Sequence, residues 1–312
     1  LKNTAHRLSK AKRLAVAVNN SPLSPQQAFI TWFRDSSPYI HAYRNKTFVI
    51  FFEGEAVLDA DFDHHIHDFA LLSSLGIRLV LVHGIRRYTN QRLAILNHPA
   101  HFHNQRRITD DVALQCVKEA AGLVRVEIEA LLSMGLANSP MSGYELKVAS
   151  GNFVTAKPIG VIDGIDYGYT GEVRSIDSAA IQHKLEQSNI VIISSIGYSP
   201  SGDIFNLSAK KLATEVAIAL KAEKLILMTE QSCYHPENGQ EIRQMTLATA
   251  VDFLQKYPHI SERVYLPMQA AVHACRSGIK RVHLIDRSKN GVLLLGLFTQ
   301  DGTGTLVSSK SS

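Results

Sequence analysis

The chain has 312 residues, 45% hydrophobic and 20% charged, which is enough to bury a large core in one big α/β domain or two lobes and argues against disorder. Its formal net charge of +5 is unevenly placed, because Lys2, Arg7, Lys10, Lys12 and Arg13 all precede the first acidic residue, Asp35. No apolar run reaches the ~18 residues of a membrane-crossing helix, and Cys116, Cys233 and Cys275 are too few and too scattered for a disulfide framework, which suits a reducing, cytosolic compartment.

Residues 1–22 read as a basic mobile arm; with no aromatics interleaved among its cations, it suits a solvated tail better than a nucleic-acid contact. Residues 23–45 read as a helix for assembly. Ser24-Pro25-Gln26-Gln27 supplies an N-cap, a proline at the first helical position and a Gln three residues past the cap. Phe29 and Phe33 then share a face beside Trp32, an apolar surface that needs a cover, and Pro38 is expected to interrupt the pattern.

The core domain is expected over residues 46–307 and opens with a buried strand, the β-branched and aromatic run Thr47 to Phe52. A helix through Phe62, Ile66, Phe69 and Leu72 ends at Gly76, and Ile77 to Val82 forms the next strand. A long helix is expected to be capped by Thr109, to run to about Met134 and to close at Gly135. Later strands are expected at Ile190 to Ser194, Leu225 to Met228 and Val282 to Ile285, with helices near Ala209 to Lys221 and Val264 to Arg276. Val292 to Phe298 has the length of a strand, and residues 308–312 read as a linker or truncated end. Such alternation predicts an open, mainly parallel α/β sheet with helices on both faces. The turn-rich stretch Gly151 to Val173 and the Asn238-Gly239 turn predict antiparallel flaps.

In an open parallel sheet, ligands sit beyond the carboxyl ends of the strands. The residues there are Glu53 and Gly54 after the first strand, and His83, Gly84, Ile85, Arg86 and Arg87 after the second. Arg107-Ile108-Thr109-Asp110 follows, and then Asn206 with Ala209 and Lys210. In order and spacing these resemble the amino-acid kinase family, in its acetylglutamate kinase branch, with Lys-x-Gly-Gly, His-Gly-Gly-Gly-Pro, Arg-x-Thr-Asp and Asn-x-x-Ala-Asp motifs. The resemblance puts Phe51 where those kinases have their first phosphate-binding Lys, Glu53 in place of a glycine, and Lys210 in place of an Asp. Their second catalytic Lys falls on Pro267. Phosphoryl transfer runs on cations and N–H donors around the moving phosphoryl group. Phe51 supplies neither, and Glu53 repels a nucleotide, so a degenerate kinase site with no catalytic residue is expected.

A second set of segments narrows the resemblance. Ser150-Gly151-Asn152-Phe153, Pro158 to Tyr167, Thr170 to Arg174, Glu119 to Gly122, Ala274 to Gly278 and Leu297 to Thr305 are similar to bacterial N-acetylglutamate synthases. In those proteins a kinase-like domain binds L-arginine and forms homo-oligomers, dimers interlaced into hexamers, while an acetyltransferase domain acetylates glutamate with acetyl-CoA. This chain shows no acetyl-CoA pyrophosphate loop, so no cofactor is expected in it and acetyl-CoA belongs to the missing domain. The resemblance implies an arginine site at Tyr39, His283 and the loop Gly302, Thr303, Gly304 and Thr305. Two plainer readings stand beside it: Tyr39 as a helix-strand corner residue and His283 as a satisfied core histidine. Gly296 departs from the family, which commonly has a Glu there. His64, His65, His67, His101, His103 and Cys233 with His235 form no closed ligand set, so no metal is expected. A working small-molecule kinase and a ligand-free assembly module remain as alternatives.

Overall fold

The computed structural model describes residues 24–59, 62–134, 145–299 and 303–309. Among the described residues, those from Ser24 to Pro38 and those from Tyr39 onward form two compact units. The expected basic arm, Gly135 and Gly302 lie outside the described residues.

Helix α1, Pro25–Tyr43, begins as its sequence dictates: the Ser24 N–H donates to Gln27 Oε1 at 3.1 Å and the Gln27 N–H to Ser24 Oγ at 3.3 Å. This reciprocal pair satisfies two N–H groups that an uncapped helix leaves open. Phe29 stacks on Phe33 at 6.2 Å, and both rings are exposed. Pro38 does not end the helix. The last turn is held by Tyr43, buried edge-on against Phe48 at 5.2 Å and close to Phe298 at 6.0 Å, and such tertiary packing outweighs a missing N–H.

In chain order the second unit continues with β1 Thr47–Phe52, a 3-10 turn Gly54–Leu58, α2 Phe62–Ser74, β2 Arg78–His83 and α3 Arg86–Ile95. The small hairpin β3 Phe102–His103 and β4 Arg106–Arg107 leads into α4 Asp111–Ser133. Next come β5 Lys147–Ser150, β6 Val154–Pro158, β7 Val161–Ile162, β8 Ile165–Asp166, β9 Gly171–Ile176 and α5 Ser178–Glu186. After β10 Asn189–Ser194 the hairpin β11 Ile196–Tyr198 and β12 Ile204–Asn206 feeds α6 Ala209–Ala219. The chain closes with β13 Lys224–Thr229, β14 Gln244–Thr246, α7 Leu247–Lys256, α8 Glu262–Arg276, β15 Arg281–Asp286, α9 Val292–Phe298 and β16 Thr305–Ser308.

The main sheet has the order β14-β16-β15-β13-β1-β2-β10-β5. Its pairs are parallel except β15 with β16. A four-stranded sheet, β12-β11-β6-β9, forms the flap. Period-two alternation distributes the central strands between two cores. Val49, Phe51, Val80, Val82, Leu225 and Leu227 pack in the layer shared with α6 and α8. Phe48, Ile50, Phe52, Leu79, Leu81 and Ile226 pack in the layer shared with α2 and α4. Because both faces are covered, these strands read as unbroken apolar runs, and each fully buried side chain contributes about 1.5–3 kcal/mol.

Three further expectations are corrected. Asp110, not Thr109, caps α4, its carboxylate accepting from the Ala113 N–H at 2.8 Å. Val292–Phe298 is a helix that buries Val292, Leu293, Gly296, Leu297 and Phe298; a seven-residue apolar run carries no period that separates the two forms. Ser308 ends β16 rather than starting a linker. The Asn238-Gly239 turn does join an antiparallel bridge, Tyr234 to Glu241.

Candidate functional site

At the carboxyl end of the sheet, register aligns Phe52, His83 and Ser194, so the loops after β1, β2 and β10 converge. Phe51 is fully buried, and the Lys210 Nζ stands 4.9 Å from its ring centre. Lys210 also forms an ion pair with Glu53. The positions expected to handle phosphate are therefore an internally neutralised pair over an aromatic ring. A Cβ on Gly54 would meet the Gly84 carbonyl oxygen at 2.3 Å, and one on Gly84 would meet Glu53 Oε2 at 2.3 Å. The two glycines let these loops lock against each other.

His83 is wholly buried, and burial pushes its pKa down to about 4. Its Nδ1 faces the Gly84 carbonyl at 3.2 Å, so Nδ1 carries the proton and Nε2 accepts from the Ser194 hydroxyl at 2.9 Å. This histidine positions loops. Asn206 Nδ2 donates to Thr109 Oγ1 at 3.1 Å, Thr109 and Thr170 hydroxyls meet at 2.7 Å, and Thr170 donates to the Arg107 carbonyl at 2.6 Å. Arg107 in turn hydrogen-bonds Asn90. These groups face a cleft of about 510 Å³ whose lining includes Glu53, Arg86, Phe102, Asn206 and Lys210. A separate small cavity lined by Thr229, Arg263 and Pro267 has a volume of about 10 Å³, room for about one water. The degenerate-site residues Phe51, Glu53, Gly54, His83, Gly84, Arg107, Asn206 and Lys210 are thus brought to one end of the sheet, where polar neighbours already engage most of them.

A second cluster lies at the amino ends of the strands. Lys224 opens β13, is 2% exposed, and donates to His283 Nε2 at 3.0 Å. His283 accepts there as a neutral ring, its pKa lowered well below the ordinary value by burial and then by Lys224 and Arg281. The Lys224 ammonium stands 4.7 Å from the Tyr43 ring centre, and Tyr43 packs 6.1 Å from Tyr39. Burial raises the Tyr43 hydroxyl to about 12 even though Arg281 hydrogen-bonds it. The Thr303 hydroxyl donates to the Val292 carbonyl at 2.8 Å, and the Thr305 hydroxyl is taken by the Ile242 carbonyl. Gly304 has φ +75 and lies against the Leu284 carbonyl, one residue from His283. Tyr39, through Tyr43, and His283 border this cluster, whereas Thr305 pairs with Leu284 and Gly304 lies against Leu284 and Ile285, further along β15; Gly302 lies outside the described residues. Sequence reasoning missed Lys224, Tyr43 and Arg281; the available signal was a lysine heading a wholly apolar strand. Among the described residues, no three His, Cys, Asp or Glu side chains are placed to hold a metal, and no helix is long and apolar enough to cross a membrane.

An open, mainly parallel sheet with a flap over the carboxyl ends of its strands defines a small-molecule kinase scaffold. The chain belongs to the amino acid kinase family, whose model matches residues 46–286. It is 45% identical over 282 residues to the amino-acid acetyltransferases of Ectopseudomonas mendocina and Pseudomonas fluorescens, covering 90% of this chain and 65% of each relative. The chain thus spans about two thirds of the length of those relatives. N-acetylglutamate synthase from Neisseria gonorrhoeae, solved with coenzyme A and L-arginine, superposes with a TM-score of 0.85 at 33% identity, over 91% of this chain and 66% of that one. Carbamate kinase from Giardia lamblia, 13% identical with a TM-score of 0.61 over 85% of this chain and 99% of its own, shares the fold.

Proposed function

We propose that this domain is the effector-binding and assembly part of an N-acetylglutamate synthase, that L-arginine is its effector, and that it has lost phosphoryl transfer. The larger enzyme would acetylate L-glutamate with acetyl-CoA in the first step of arginine biosynthesis, in the cytoplasm, as a homo-oligomer built through α1. The observation that carries the reading is Lys224, a buried ammonium that makes no ion pair among the described residues. Its hydrogen bond to neutral His283 leaves the charge unbalanced, and burying an unbalanced charge is costly. An amino-acid carboxylate at Nζ supplies the missing anion, while backbone carbonyls of the loop before Thr305 suit the guanidinium. The gonococcal relative, solved with L-arginine, supports the choice of ligand. Glu53 paired with Lys210 and Phe51 beneath them support loss of the kinase reaction.

Calorimetry with L-arginine is the test. Saturable binding of L-arginine but not D-arginine is expected, with a loss of at least about tenfold in Lys224→Met. Absence of binding at millimolar L-arginine would leave a ligand-free assembly module as the better description.

A further inference from the structure

The sequence holds the dipeptide Asn-Gly twice, at Asn238-Gly239 and at Asn290-Gly291. With no Cβ on the second residue, the glycine amide nitrogen has an unhindered path to the asparagine side-chain carbonyl carbon. Both asparagines are exposed, both glycines have positive φ, +66 and +68, and a Cβ built on either glycine meets nothing within 4 Å. In composition and steric access the two sites are alike. Hydrogen bonding separates them. At the first site the Gln240 N–H donates to Asn238 Oδ1 at 3.0 Å, and the Gly239 N–H donates to the His235 carbonyl at 2.9 Å. The His235 N–H closes the loop on the Gln240 carbonyl at 2.8 Å, beside the bridge of Tyr234 with Glu241. At the second site, Asn290 makes no hydrogen bond and the Gly291 N–H donates none among the described residues. Its flanks are fixed: the Ser288 N–H and hydroxyl both donate to Asp286 Oδ1, at 3.1 and 2.7 Å, and the Gly291 carbonyl accepts from the Leu295 N–H at 2.9 Å. A free dipeptide therefore sits between the end of β15 and the first turn of α9.

We propose that Asn290 is a modification site, deamidating spontaneously to aspartate and isoaspartate, and that the product loosens the entry to α9. The Gly291 nitrogen gives its proton to hydroxide and bonds to Asn290 Cγ, and Nδ2 leaves as ammonia, which closes a five-membered succinimide. Water then adds to either ring carbonyl and breaks that carbon's bond to the Gly291 nitrogen. Opening at Cγ leaves aspartate with the chain path unchanged; opening at the main-chain carbonyl leaves isoaspartate, with the chain routed through the side chain. Water is consumed and ammonia released, so no further reactant is needed. Either product places a new carboxylate next to Lys289. Isoaspartate also adds a backbone atom just ahead of a helix whose Val292, Leu293, Leu297 and Phe298 are packed in the core, where a shift of register costs contacts. At Asn238 the same attack has to break both hydrogen bonds first, so that site is protected.

The experiment ages the whole native chain in mildly alkaline buffer and follows both dipeptides by peptide mapping with mass spectrometry, resolving aspartate from isoaspartate. Conversion at Asn290 is expected to run at least about tenfold faster than at Asn238, the factor set by the hydrogen bonds that hold Asn238. In denaturant, where neither dipeptide is held, the two rates are expected to converge. The isoaspartyl form, separated by ion exchange, is expected to show faster amide hydrogen exchange over residues 292–298 than the unmodified chain. Native rates that are equal at the two sites, or faster at Asn238, would overturn the proposal. So would a preference for Asn290 that persists undiminished in denaturant, which would place its cause in the neighbouring sequence and not in the fold. Unchanged exchange over residues 292–298 would overturn the effect on α9.

Discussion

Lys224 is a buried amine whose pKa is pushed down to about 7, by burial first and Arg281 next, with Glu223 opposing. In the unfolded chain the same group titrates near ~10.4. Between these values the folded chain binds fewer protons than the unfolded one, so stability rises with pH across about 7 to 10 and the penalty is full below about 7. A carboxylate at Nζ reverses the preference, because it needs the ammonium. L-Arginine binding above neutral pH should therefore take up a proton, and affinity should fall by up to about tenfold per pH unit from about pH 7.5 to 9. His283 stays neutral throughout and adds no slope of its own. Calorimetry in two buffers of different ionisation enthalpy measures the proton directly. Lys224→Arg, which keeps its charge over this range, should flatten the profile. An affinity independent of pH in the native chain would detach Lys224 from the ligand.

Element by element, the legible parts were those whose reasons are local. The capping box at Ser24 and the apolar run of β1 were readable because backbone N–H satisfaction and two-faced burial leave marks within a few residues. The start of α4 was off by one residue: Thr109 and Asp110 are both good caps, and the choice rests on Thr109 being drawn into the network with Thr170 and Asn206, which lies 97 positions away in sequence. That assignment gives a measurable expectation. Asp110→Ala should destabilise the protein by about 1 kcal/mol, seen as a lower denaturant midpoint, whereas a similar loss confined to Thr109→Ala would return the cap to Thr109. Helix α3 was missed because Arg86 and Arg87 follow a glycine-bearing strand end and look like a solvated loop. Lys224 and the burial of Arg107 escaped notice for a related reason. A lysine or arginine in a list of residues carries no sign of burial, and their partners, His283 at 59 positions and Asn90 at 17, are brought in only by the fold.

At the scale of the whole molecule, the sheet has a cleft at its carboxyl end and the Lys224 cluster at its amino end, and α1 carries an apolar face. Phe29, Ile30, Trp32 and Phe33 are exposed on that helix, an apolar face that self-association would cover. Light scattering should report an oligomer that dissociates when the residues before Lys46 are deleted; a native chain that is monomeric at all concentrations would remove assembly from the proposal. The proposed L-arginine site has its sharpest test at Gly296. A Cβ built there meets Thr303 Oγ1 at 3.3 Å, Thr303 O at 3.5 Å and Ile285 Cδ1 at 3.5 Å. Only the rotatable hydroxyl is tight, so a side chain fits with a small shift of Thr303 and points toward the loop that precedes Thr305. Replacing a helical glycine contributes about 0.5–1 kcal/mol of favourable propensity. An unpaired buried carboxylate opposes that gain until a guanidinium arrives. Gly296→Glu should therefore leave the ligand-free protein no more stable than wild type, yet strengthen L-arginine binding by about tenfold or more, since a charged hydrogen bond contributes about 1.5–3 kcal/mol. Gly296→Gln, equal in size and neutral, should give no such gain. If Gln matches Glu, or if Glu leaves L-arginine affinity unchanged, the guanidinium does not lie beside α9 and the ligand must enter the Lys224 cluster in another orientation.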